Sequence, residues 1–359
     1  MTERDGADRC PGVLRPFIAD DGAIIRVRVP GGRMSVATLA ALSAVAAEFG
    51  APLLQLTSRG NIQLRALPDP LPSTLVDKIA ALGLLPSPTH ERVRNILAAP
   101  LAPHLAPLVA ELDAALVAAP DLSALPGRFL WAISDATGAV LTQPWDVAYQ
   151  DLGDDHGRVL VGGYALDVSR ADAVPTLLER ARLFLAHRGG ERAWNVRDLP
   201  ADSPVFAGMT PYAVSAAPPL RPGPVGADLV VGVPLGMLRT AQVAALASAS
   251  DEVVVTPWRS VVVPGGAYLA PMLRGLGLAV DPDSPWARVS ACVGAPFCRR
   301  TTTRTLDLAT AATKSLAGPG PLVHVVGCDR RCGEPSTEHV SVVEPSSVDQ
   351  VLAAAGVSA

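Results

Sequence analysis

A chain of 359 residues that is 49% hydrophobic is long enough for two or three domains with substantial cores. Its 30 Lys and Arg against 34 Asp and Glu leave a net charge of −4, which excludes the broad basic field that holds nucleic acid. Lys78 and Lys314 are the only lysines, so any cationic pocket must be built from arginine, whose planar fork suits carboxylates.

The opening residues 1–8 lack the apolar run of a signal peptide. The most apolar stretch, residues 97–120, is broken by Pro100, Pro103, His104, Pro107, Glu111 and Asp113 and does not suit a membrane span. A cytoplasmic protein without membrane or nucleic-acid partners is expected. In chain order, residues 23–29 alternate as a strand that stops at Pro30-Gly31-Gly32, and Leu39, Leu42, Val45, Ala46 and Phe49 fall at helical spacing before Gly50. Residues 53–56 and 62–65 are strands joined by a turn at Thr57 to Asn61, and a helix follows near 74–83.

The same order returns about 200 residues later: a strand at 229–233 stopped by Pro234-Leu235-Gly236, a helix at 240–249, and strands at 253–255 and 261–263 joined at Thr256 to Ser260. Two β-α-β units of like pattern imply a duplicated architecture with a pseudo-two-fold relation. Between the copies, a helix is expected at 108–119, a strand at 129–133, a hairpin turn at Asp135 to Gly138, further strands at 147–149 and 158–164, and a helix at 176–188. The Pro- and Gly-rich residues 203–226 read as a linker. Behind the second copy come a loop and helix over 299–316, strands at 321–326 and 339–343, and a short helix at 348–355. The resulting units are 14–85, 86–202, 203–284 and 285–359.

Four of the five cysteines lie in that last unit: Cys292 and Cys298 with five residues between them, Cys328 and Cys332 with three. Close thiol pairs in a reducing compartment read as metal ligands rather than disulfides. Zinc sites usually pair their cysteines two to four residues apart, which suits the second pair but not the first. A four-iron cube takes one thiolate per iron and tolerates wider spacings, while buried unpaired cysteines are the plainest reading. Cys10 is left over and reads as incidental. Gly189-Gly190 lacks the strand and spacing of a dinucleotide fingerprint.

Three further motifs, Thr57-Ser-Arg-Gly-Asn-Ile-Gln63, Arg92-Val-Arg-Asn-Ile96 and Leu125-Pro-Gly-Arg-Phe129, precede the quartet. Together they resemble the siroheme sulfite and nitrite reductase superfamily, and within it the precorrin-3B synthases, over about residues 14–343. The resemblance implies an α/β (α+β) protein in which duplicated ferredoxin-like units join tetrapyrrole-binding and cluster-binding domains. It implies a [4Fe-4S] cluster on Cys292, Cys298, Cys328 and Cys332, with Cys332 bridging to siroheme iron if siroheme is present. It sets anion-binding residues at Arg59, Arg94 and Arg128. Arg65, Arg92, Arg299, Arg300 and Arg304 join them as candidates for a polycarboxylate tetrapyrrole, and Arg299, Arg330 and Arg331 flank the cluster ligands.

The reductases keep a second basic residue two positions beyond Arg128, where this chain has Leu130. A weaker oxyanion pocket favours the synthases, expected to be monooxygenases that use O2 and electrons from NADH or an electron-transfer protein to hydroxylate the macrocycle at C20 and close a γ-lactone. That chemistry calls for a mononuclear non-haem iron besides the cluster, with His90, His324, His339, Glu91, Glu334 and Glu338 as the nearest ligand supply.

Overall fold

A computed structural model describes residues 8–189, 193–316, 320–335 and 338–357. Gly190, in the glycine pair weighed above, lies outside the described residues. Two five-stranded antiparallel sheets form the centre. The first runs in the order Phe17–Ala19, Gly22–Val27, Ile62–Leu67, Leu53–Leu56, Met237–Arg239, and the second Gly223–Val225, Asp228–Gly232, Ser260–Val263, Glu252–Val255, Arg33–Ser35. Each sheet therefore takes its last strand from the other copy. Met34 pairs with Val253, and Leu238 pairs with Leu54. The chain can cross over only through a tight turn, and each copy supplies one: Gly32 has φ +74°, and a Cβ there would sit 2.0 Å from the Val255 carbonyl oxygen; Gly236 has φ +74°, with Leu56 O at 3.2 Å.

The helices Val36–Phe49 and Thr240–Ala249 lie against the sheets. In the first, Ser35 Oγ accepts from Thr38 N at 3.0 Å at the start, and the Gly50 N–H bonds Ala46 O at the end. Its buried face, Leu39, Leu42, Val45 and Ala46, enters one core shared by both copies with Leu54, Leu56, Ile62, Leu64, Val231, Leu246, Val253 and Val261. Each such leucine removed from water contributes about 1.5–3 kcal/mol. The duplication is thus physical as well as sequential.

A six-stranded mixed sheet, from Ile96–Ala98 through Trp131–Ser134, Val147–Gly153, His156–Val161 and Tyr164–Ser169 to Thr210–Pro211, lies between the copies in sequence, packed by helices Ala106–Val117 and Ala173–His187. Residues 135–138 do not form the expected hairpin. Trp131–Ser134 and Val147–Gly153 are parallel, so the turn leads instead into a 3-10 helix at Ala139–Thr142, and the true hairpin is at Asp154 and Asp155. The residues read as a linker also contribute edges to two sheets, Thr210–Pro211 and Gly223–Val225. The last unit is a parallel sheet of Val289–Ala291, Val323–Val326 and Val340–Val343, with helices Thr305–Ala312 and Val348–Ala354. Among the described residues, no helix is long and apolar enough to cross a membrane.

Candidate functional site

The site follows from strand alternation in the first sheet. Successive side chains point to opposite faces, so Leu54, Leu56, Ile62 and Leu64 enter the core while Gln55, Gln63, Arg26 and Arg65 face the other way. That polar face floors a cavity of about 490 Å³ whose far wall carries Cys292, Cys298, Cys328 and Cys332. Arg259, Arg299, Arg300 and Arg330 also line it, with Thr57 and Ser58 of the first turn.

Most of the arginines there have partners. Arg65 binds Asp21 through two nitrogens, at 3.0 and 3.2 Å, and Gln55 at 3.0 Å. Arg299 pairs with Asp20, and Arg26 donates to Gln63 Oε1 and to Cys10 Sγ. Arg259 is half-buried: its Nη2 donates to Gly333 O, burial lowers its pKa, and among the described residues no carboxylate pairs with it, nor with Arg26 or the exposed Arg300 and Arg330.

The cysteine wall is shaped by close backbone approaches. Gly327 N donates to Cys292 Sγ at 3.3 Å, Thr305 Oγ1 lies 3.7 Å from that sulfur, and Thr305 Oγ1 also donates to Cys292 O at 2.7 Å. A Cβ on Gly294 would sit 2.3 Å from Thr305 Oγ1, and one on Gly327 would sit 2.4 Å from Thr301 Cγ2. Burial raises the Cys332 thiol pKa, and Cys292, Cys328 and Cys298 raise it further by mutual repulsion. The four sulfurs therefore share one field, which a polyvalent cationic centre offsets. They are spread around the cavity: among the described residues, no three His, Cys, Asp or Glu converge on a single-ion site. The donor set of four thiols and its N–H donor fit a four-iron cube.

Arg59, Arg94 and Arg128 do not line this cavity. Arg94 is held by Asp113 at 2.7 Å through Nε and again through Nη2, against helix Ala106–Val117. Arg59 donates through Nη1 to Arg128 O, and the exposed Arg128 lies 5.3 Å from the Trp194 ring. Burial lowers the Arg59 pKa, and Cys10 and Asp146 oppose that shift. Arg92 pairs with Asp8, and Arg304 with Asp307. Arg331 pairs with Glu334. Leu130 is fully buried among Leu97, Leu141, Ala148 and Leu160 and does not line the cysteine-walled cavity.

The iron-ligand candidates are scattered. His90 bonds Ala119 O and the Ser87 and Thr89 hydroxyls, and Glu91 accepts from Val13 N and Leu14 N. His324, His339 and Glu334 are the nearest grouping: Glu334 bonds His339 at 3.2 Å, and the two rings stand 6.1 Å apart. Glu338 is exposed. Burial, with Arg259 and His339 nearby, lowers the His324 pKa to about 4, so the ring is neutral at pH 7.

Three residues that sequence reading passed over matter here. Arg26 and Arg259 reach the cavity although neither was a candidate ligand, Arg259 from the Thr256 to Ser260 turn of the second copy. Cys10 is not a bystander. Burial alone would raise its pKa, but Arg26 and Arg28, each donating to its sulfur at 3.3 Å, bring it below the usual thiol value. The available signal for Arg26 was its alternation in phase with Gln63 and Arg65 across paired strands.

Comparison with known proteins agrees with the fold. Residues 18–80 match the family model described as the nitrite/sulfite reductase ferredoxin-like half domain. A precorrin-3B synthase of Sinorhizobium sp is 23% identical over 93% of this chain and 80% of its own length. The solved structure of Mycobacterium tuberculosis NirA superposes with a TM-score of 0.67, at 21% identity, covering 92% of this chain and 73% of that one. Residues 18–80 thus match a ferredoxin-like half domain, and the chain as a whole shares the fold of NirA.

Proposed function

We propose that the chain is a precorrin-3B synthase: an oxygen-dependent oxidoreductase that hydroxylates precorrin-3A at C20 and closes a γ-lactone from the ring A acetate, in aerobic cobalamin biosynthesis. The observation that carries this reading is similarity to a protein of that name along 93% of the chain. The cavity chemistry supports it, since guanidinium groups from several elements around one hollow suit a ligand with many carboxylate arms.

Cys292, Cys298, Cys328 and Cys332 hold a [4Fe-4S] cluster in this reading, which supplies one-electron transfer when bound. Arg26, Arg259, Arg300 and Arg330 supply positive charge to acetate and propionate arms. Asp20 and Asp21 hold Arg299 and Arg65 in place. Oxygen activation calls for an iron with an open position, and His324, His339 and Glu334 are the nearest ligand supply. Electrons come from NADH or a protein donor.

The test is aerobic turnover of precorrin-3A with a reductant by anaerobically purified protein. The expected result is consumption of O2 and formation of the hydroxylated lactone. The likeness to NirA favours one rival, a siroheme-dependent nitrite or sulfite reductase. A Soret band with nitrite or sulfite reduction would establish that rival. Inertness in both assays with an intact cluster would mark a non-catalytic tetrapyrrole-binding protein.

A further inference from the structure

The two copies share the turn after their fourth strand. Thr57 N bonds Asn61 O at 2.9 Å, and Thr256 N bonds Ser260 O at 3.0 Å. The fourth residue is left-handed in both, yet it is Gly60 (φ +63°) in the first copy and Arg259 (φ +54°) in the second. Glycine adopts that conformation freely, whereas a side chain makes it unfavourable. Such strain persists where the residue is needed. The arginine also has a prepared path. A Cβ on Gly236 would come 3.0 Å from Arg259 Cδ, and one on Gly333 would come 2.7 Å from Nη2, so its side chain runs between two glycines that leave room for it.

That path ends at a junction. A second cavity of about 340 Å³, walled by Trp258 and Trp286, shares Ser58, Leu235 and Arg259 with the cysteine-lined cavity. Of the arginines there, Arg65 and Arg299 are neutralised by aspartates, Arg26 is turned to Gln63 and Cys10, and Arg300 and Arg330 are exposed, while Arg259, among the described residues, bonds a backbone carbonyl and no carboxylate. A half-buried guanidinium without a counter-ion, held at the neck between two cavities, is a carboxylate receptor.

We propose that Arg259 anchors a carboxylate arm of the tetrapyrrole at this neck and so orients the macrocycle against the cysteine wall. This rests on the reading of the cavity as a polycarboxylate site. Arg259 is a positioning residue, and Gly60 in the matched turn shows that the backbone does not require a side chain there.

The experiment is titration of the full chain with uroporphyrin, an octacarboxylic tetrapyrrole, followed by tryptophan fluorescence, with its octamethyl ester as the uncharged control. Arg259→Gly and Arg259→Gln are expected to weaken uroporphyrin binding by about tenfold to a hundredfold, the loss of one charge-assisted pair. Arg259→Lys should fall between these variants and the parent. Arg259→Gly should melt at or above the parent temperature, because glycine relieves the left-handed residue. Equal affinity of the parent and both neutral variants would overturn the inference and leave the polycarboxylate reading standing. So would variants that lose melting temperature while their folded fraction binds as the parent does. Failure of the parent itself to prefer the acid over the ester would overturn the polycarboxylate reading, and this inference with it.

Discussion

Asn95→Ala is expected to lower the unfolding free energy by about 2–5 kcal/mol and to loosen the turn that borders the cavity. Asn95 is fully buried at the meeting point of three segments. Its Oδ1 accepts from Arg28 Nε and from Asn61 Nδ2, each at 3.0 Å, and its Nδ2 donates to Gly127 O at 2.9 Å and Arg92 O at 3.0 Å. Truncation strands two donors and a carbonyl. Each buried unsatisfied group costs about 1–3 kcal/mol, more beside a charge, and the space left admits a water that recovers part of this. Arg28 itself is 2% exposed and burial lowers its pKa to about 10, so it depends on such acceptors. Urea unfolding followed by tryptophan fluorescence measures the loss, and a cycle with Asn61→Ala isolates the shared bond at a coupling of about 1 kcal/mol. A loss under about 1 kcal/mol, or strict additivity of the two truncations, would refute the network as described.

Asp113→Ala should cost about 3–5 kcal/mol by leaving Arg94 buried and unpaired, while uroporphyrin affinity stays at the parent value; weakened binding would return Arg94 to the ligand site. Burial raises the Asp146 pKa to about 6 against donors from Val196, Leu130 and Asn195. The folded value lies above the unfolded one, so its contribution is full below pH 3.8 and is lost as pH rises through 6. That interval corresponds to about 3 kcal/mol. The stability of Asp146→Asn relative to the parent should therefore rise by up to that amount between pH 4 and pH 7; a flat difference across urea-unfolding series refutes it. Cys328→Ser should abolish the broad iron–sulfur absorbance of anaerobically purified protein, and survival of the full spectrum removes Cys328 as a ligand.

The parts of the architecture legible in the sequence were those governed by local periodicity. Leu39 to Phe49 at helical spacing, and Val253 to Val255 and Val261 to Val263 as apolar runs, appear as helix and strands with ends shifted by a residue or two. The copies were visible because the same turn chemistry recurs at Thr57 and Thr256. The crossover was not. Arg33–Ser35 and Met237–Arg239 are three residues long, and each pairs with a strand some 180 to 220 positions away, so nothing nearby marks them as strands. The supposed hairpin at Asp135 failed for the same reason, since a turn signal does not say which strand comes next to its neighbour.

For the site, residue type and spacing determined that four thiols lie in the last unit and that the cations are arginines, because those properties belong to the chain itself. Which arginines meet the thiols was decided by tertiary structure alone. Arg94 sits in a motif but is taken by Asp113, Leu130 is buried in a core, and Arg26 and Arg259 reach the cavity although neither was a candidate ligand. An arginine's ligand depends on which carboxylates the fold brings within about 3 Å of it, and that proximity is a property of packing that no local pattern carries.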